Sequence, residues 1–174
     1  MLTQRQVFFL PLALLCSLWV CVLQAEDRPL QRALDSITSQ ELLQHVQKLA
    51  DDSFEGREAG SQGGRAASIY LEKSLRQLEL QGGADGQFYQ AFGAGMHNVL
   101  AIFPGNHPEL KHEVVILGAH YDHIGYGDKI TSNGPIGFIH NGADDNASGT
   151  AALLEIAEAF SKAPKPPRRT ILFA

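Results

Sequence analysis

The chain has 174 residues, 14 basic and 19 acidic side chains, a net charge of −5 and a mean hydropathy of −0.10. That length suits one domain with a sizeable core, and without a basic stripe nucleic acid is excluded as a partner. Both cysteines, Cys16 and Cys21, lie in the first 25 residues. The remainder has no disulfide framework, so its stability rests on packing and on any bound metal.

In chain order, the first segment is set apart from the core. Arg5 supplies a basic start, Val7 to Leu23 is almost wholly apolar, and Gln24-Ala25 precedes the first acidic residues, Glu26 and Asp27. Residues 1–25 are expected to be a signal peptide cleaved after Ala25, giving a secreted or periplasmic product; uncleaved, the segment would act as a membrane anchor. Thr38-Ser39-Gln40-Glu41 matches a capping box, and Leu42, Leu43, Val46 and Leu49 follow at helical spacing to about Ala50. "FEGREAGSQGG", Phe54 to Gly64, reads as a glycine-rich polar loop. A second helix is predicted from about Gly64 to Glu79, with Gly82-Gly83 as its stop.

Strands are predicted near Phe88, from Asn98 to Phe103 and from Glu113 to Leu117, with Pro104-Gly105-Asn106 as the turn between the last two. Residues Ile124 to Gly142 show no periodicity, and a loop of that length inside a domain is more often functional than idle. Ser148 to Phe160 is predicted as a third helix with Leu153, Ile156, Ala157 and Phe160 on one face. Prolines 164, 166 and 167 end it, and "RRTILFA" opens another strand. Strand, helix and strand in that order indicate an α/β sheet. Residues 26–95 form an N-terminal helical segment and 96–174 the first part of the α/β core, with no internal repeat and no second domain.

Two short motifs carry the chemistry. In "GAHYDHIG", Gly118 to Gly125, strand alternation places His120 and Asp122 on one face and His123 on the other. A ligating histidine usually donates its second ring N–H to a carboxylate, so His120 as ligand and Asp122 as orienter form a unit at minimal spacing. A strand-end histidine hydrogen-bonded to an aspartate would look the same. In "NGADDNASG", Asn141 to Gly149, two carboxylates stand at a helix entry, where the macrodipole favours negative charge. N-capping by Asp145 or Asn146 explains one polar residue there, but not an acidic pair beside a histidine-bearing strand end.

Three rival patterns fail on context. Asp144, Asn146, Ser148, Gly149 and Glu155 fall at EF-hand calcium-loop spacing, but "SNGPIGFIHNGA" cannot be the preceding helix. "HYDH" matches the tail of a metallo-β-lactamase-type signature, but Gly118 replaces its first histidine. No nucleophile elbow is present, so Ser148 belongs to the helix start. His140 could line a cleft or be a plain loop residue; His45, His97, His107 and His112 lie outside the motifs. A glycan on the sequon at Asn146 would block the site.

Together the two motifs resemble the co-catalytic zinc exopeptidases, the family of bacterial leucyl aminopeptidase, aminopeptidase Y, glutamate carboxypeptidase and glutaminyl cyclase. The resemblance implies an α/β domain with a mixed central sheet flanked by helices and two Zn2+ ions at its edge. His120 matches the first-metal histidine, Asp122 its orienting aspartate and Asp145 the carboxylate bridging both ions, with Asp144 its non-ligating neighbour. It also implies that a glutamate general base and further ligands follow the strand "RRTILFA". The expected reading is the N-terminal part of a longer secreted exopeptidase acting on peptides or small proteins, an aminopeptidase before a carboxypeptidase or cyclase, and inactive as this chain alone. The alternative is a non-catalytic binding protein on the same fold.

Overall fold

The structure is a computed structural model and describes residues 30–174. The expected signal segment 1–25 lies outside the described residues. Among those described, no helix is long and apolar enough to cross a membrane.

A helical turn at 30–34 leads into α1, Ser39–Leu49. Thr38 caps it as the sequence predicts: Oγ1 accepts from the Glu41 backbone N–H at 3.1 Å and donates to Glu41 Oε2 at 2.7 Å. The box is only half local. The Thr38 backbone N–H, which Glu41 would take in a reciprocal box, donates to Glu155 Oε2 at 3.3 Å.

Ser61 caps α2, Gln62–Gln77, its Oγ accepting from Gly64 N–H at 3.0 Å. The helix ends before its predicted glycine stop. Glu79 adopts a left-handed φ of 59°, which turns the chain, buries Leu80 and frees Gly82 for strand β1, Gln81–Gly82.

The predicted strand Asn98–Phe103 is two strands. β2, Tyr89–Ala91, pairs with β3, His97–Val99, while β4, Ala101–Phe103, pairs with β1 and with a later strand. Val99, Leu100 and Ala101 are all buried, and one regular strand cannot turn three consecutive side chains inward. The break at Leu100 resolves that conflict.

β5, Val114–Leu117, and β6, Thr170–Phe173, run parallel and are joined through α3, Ser148–Lys162, the long crossover a parallel pair requires. The sheet order is β1-β4-β6-β5, antiparallel up to β6 and parallel at β5. This is a mixed α/β fold. Its core unites Leu71 and Leu75 of α2, Leu154 and Ala157 of α3, Ala101 of β4 and Ile171 and Phe173 of β6.

The buried face of α3 is shifted from the predicted stripe: Thr150, Ala151, Leu154, Glu155 and Ala157 are inside, while Leu153, Ile156 and Phe160 are only partly buried. The helix has the core on one side and α1 on another. On the α1 side His45 links Tyr70 and Glu155, with Nδ1 2.6 Å from Tyr70 Oη and Nε2 3.5 Å from Glu155 Oε1. Glu41 and Glu158 converge on the same place, but Thr38 donates to Glu41 and Glu155, and Lys162 pairs with Glu158. Glu41 and Glu155 thus close the amino end of α1 through their hydrogen bonds with Thr38.

Candidate metal centre

β5 ends at Leu117, and its ladder to β6 closes with Ala119 N–H donating to Ala174 O at 3.0 Å. "AHYDHIG" is therefore a loop beyond the carboxyl end of the strand, where open α/β sheets place their ligands. Strand alternation, used to set His120 and Asp122 against His123, does not apply there.

The loop nonetheless brings His120 and Asp122 together. His120 Nδ1 lies 3.2 Å from Asp122 O and 3.4 Å from Asp122 Oδ1. Its other nitrogen, Nε2, lies 3.2 Å from Asp145 Oδ1. A proton on Nδ1 is held by Asp122, which leaves the Nε2 lone pair facing Asp145.

Asp145 sits in the turn Ala143–Ala147 that feeds α3, and the Asp145–Asn146 peptide is cis. Capping belongs to its neighbour: Asn146 Oδ1 accepts from Gly149 N–H at 3.1 Å and Nδ2 donates to His120 O at 3.1 Å. Both ends of the Asn146 amide are thus committed to the fold. Asp145 is free of capping, with its side chain 67% exposed.

His123 was expected off the ligand face. Instead its Nδ1 lies 3.5 Å from Asp145 Oδ2, so the two carboxylate oxygens face two different imidazoles. Burial pushes the His123 pKa below its ordinary 6.5, and the Asp145 charge opposes the shift. Gly142 permits this approach. Its φ is +55°, and a Cβ there would sit 2.5 Å from the His123 ring.

The donor set suits zinc. Two tetrahedral ligands bound at roughly 2.0–2.1 Å lie about 3.3 Å apart, close to the observed spacing of His120 Nε2 and Asp145 Oδ1. Imidazole nitrogen with carboxylate oxygen is also a ligand combination that zinc accepts.

Arg57 escaped the sequence reading, which took "FEGREAGSQGG" for a polar loop. The structure buries it completely beneath the two motif loops, with its guanidinium donating to main-chain carbonyls. The available signal was weak: one arginine among glycines with no acidic partner at helical spacing. Gly56, φ +67°, lets this turn pass under the motifs, since a Cβ would sit 2.5 Å from both Gly125 O and His140 O.

Three other histidines make contacts within the fold. His140 Nε2 lies 3.1 Å from Ser132 Oγ and 3.0 Å from Pro135 O, tying down the loop that precedes the aspartates. His107 Nδ1 accepts from two backbone N–H groups, and His97 meets the Tyr89 ring edge-on at 4.6 Å.

Residues 98–174 match the model of peptidase family M28. The match spans both motifs and the break after β3. Leucine aminopeptidase 1 of Trichophyton equinum is 30% identical over 112 residues, 59% of this chain and 26% of the relative. The chain thus spans about a quarter of that curated relative's length.

Among solved structures, the Legionella pneumophila LapA aminopeptidase superposes with a TM-score of 0.62 at 19% identity, over 84% of this chain and 36% of that one. The Macrostomum lignano glutaminyl cyclase gives 0.55 at 27% identity, over 83% and 39%. A Zn-dependent exopeptidase of Parabacteroides distasonis gives 0.52 at 24% identity, over 78% and 46%. The mixed α/β fold is that of these neighbours, and the resemblance to the zinc exopeptidases holds in sequence and in fold.

Proposed function

We propose that this chain carries metal-holding residues of a secreted zinc exopeptidase of family M28, an aminopeptidase acting on the free N-terminus of peptides or small proteins. One observation carries the reading: His120 Nε2 and Asp145 Oδ1 stand at the spacing of two ligands on one ion, with the second Asp145 oxygen turned away toward His123. Asp122 would fix the His120 tautomer, and Asp145 would offer one oxygen to each of two ions. Zinc bound there supplies a Lewis acid for the scissile carbonyl and lowers the pKa of water toward about 7. The similarity to leucine aminopeptidase 1 supports the aminopeptidase assignment, and the apolar segment 1–25 supports export.

The test is zinc content by metal analysis, together with hydrolysis of leucine p-nitroanilide by a protein carrying this chain. Bound zinc and turnover abolished by a chelator are expected. A protein that takes up no zinc and hydrolyses nothing would be the non-catalytic binding module instead. The 27% identity to a glutaminyl cyclase motivates one further arm. Release of ammonia from a glutamine-initiated peptide, without peptide hydrolysis, would move the reading to cyclisation.

A further inference from the structure

We propose that Arg57 is the positioning residue of this centre: its guanidinium sets the separation between the loop bearing His120 and the loop bearing Asp145. The inference rests on the zinc reading above. Arg57 is 0% exposed. Nε donates to Tyr121 O at 2.8 Å, between His120 and Asp122 in the chain. Nη1 donates to Asn141 O at 2.6 Å and also to Leu49 O, and Nη2 donates to Gly142 O at 2.8 Å. One rigid planar group therefore ties the end of α1 to both motif loops.

The main chain adds to the clamp, since Arg57 O accepts from His123 N–H at 3.2 Å and Gly56 O from Gly125 N–H at 3.1 Å. Glu55 and Arg57 hold positive φ, at 48° and 52°, a conformation costly for any residue with a Cβ that persists only where the surroundings over-determine it.

All four side-chain acceptors are carbonyls. A buried cation is ordinarily paired with an anion, and no carboxylate forms an ion pair with Arg57 among the described residues. A charge retained at that desolvation cost, on converging carbonyls, points to geometry as its use. The five donors of guanidinium lie in a fixed fork, whereas the ammonium of lysine cannot reach divergent carbonyls in one plane. Charge alone acts in both senses: a cation beneath the site repels a divalent ion, but it also favours the ionised carboxylates of Asp122 and Asp145.

Arg57→Lys keeps the charge and loses the fork; Arg57→Met keeps comparable volume and loses both. With folding checked by circular dichroism, zinc affinity is measured by chelator competition, and ligand geometry by the visible spectrum of the Co2+-substituted protein. Both variants are expected to bind zinc about 10- to 100-fold more weakly, with an altered Co2+ spectrum. Arg57→Lys with parental affinity and spectrum, and only a lowered Tm, would overturn the proposal in favour of a purely structural arginine. Tighter zinc binding by Arg57→Met would overturn it in favour of a charge effect. Should Arg57→Met fail to fold, Arg57→Lys decides the matter. If the parent protein binds neither metal, the zinc reading falls. The positioning role is then judged on the imidazole 15N resonances of His120 and His123 in the metal-free protein. Resonances displaced in Arg57→Lys support the role, and unchanged ones overturn it.

Discussion

Asp145 is the residue on which the metal reading turns, because each of its oxygens faces a different imidazole. A neutral amide cannot bridge two cations, so Asp145→Asn is expected to lose most bound zinc. Asp122→Asn should act more gently, weakening zinc by about 10- to 100-fold as changes to an orienting partner do. Equal zinc content and affinity in both variants would remove the distinction between ligand and orienter. His120→Ala is expected to lower zinc stoichiometry. His123→Ala should preserve it and weaken affinity by freeing Asp145 Oδ2. Metal analysis and chelator titration separate the two, and loss of stoichiometry in the His123 variant would make that residue a ligand. The pairing of His120 with Asp122 was legible because it is local. The approach of His123 was not, since it depends on the path of the loop after Leu117 and on the space left by Gly142.

Helices α1, α2 and α3 meet at the His45, Tyr70 and Glu155 network. Burial pushes the His45 pKa below its ordinary 6.5 and the Glu155 pKa above its ordinary 4.5, so each prefers its neutral form in the folded protein. A base with a depressed folded-state pKa resists protonation only when folded. The His45 contribution to stability is therefore present above 6.5 and lost as pH falls from 6.5 through its lower folded-state value. Glu155 acts in the opposite sense: its raised pKa favours the fold at low pH, and that contribution is lost as pH rises from 4.5 through the folded-state value. His45→Gln should flatten the fall in Tm as pH drops below 6.5. Parallel Tm profiles for parent and variant would show that His45 does not titrate with folding. Thr38→Ala removes the side-chain cap of α1 and should cost about 1 kcal/mol in denaturant unfolding. The cap itself was readable in Thr38 and Glu41. That Glu155 takes the Thr38 N–H was not, because the partner lies 117 positions away.

At the scale of the whole molecule, β5 is an apolar strand left exposed among the described residues. A parallel strand is normally covered on both faces, yet Val114, Val115 and Ile116 are 54%, 40% and 63% exposed at the edge of the sheet. An uncovered apolar edge pairs readily with another chain. The chain is expected to self-associate as concentration rises, and Ile116→Lys should shift it toward monomer in sedimentation equilibrium. A monomer at all concentrations for the parent protein would mean that the edge is protected in solution.

Whatever depends on near neighbours was fixed by sequence alone. The alternating classes of element and the Thr38 cap follow from propensity, spacing and short-range chemistry, whereas His120 and Asp122 meet in a loop and not by the strand alternation that paired them in the sequence. The family resemblance rested on the same local motifs. Only the tertiary structure decided the break at Leu100, the path of the loop after Leu117, the long-range cap by Glu155 and the place of Arg57. Each is a compromise between segments distant in the chain. Strand pairing splits 97–103 between two sheets, and the sheet edge frees the HYDH loop. Arg57 is buried because carbonyls from α1 and from both motif loops converge on it. A guanidinium finds such acceptors only once the chain has folded, and carbonyls are common to every residue, so no side-chain pattern announces them.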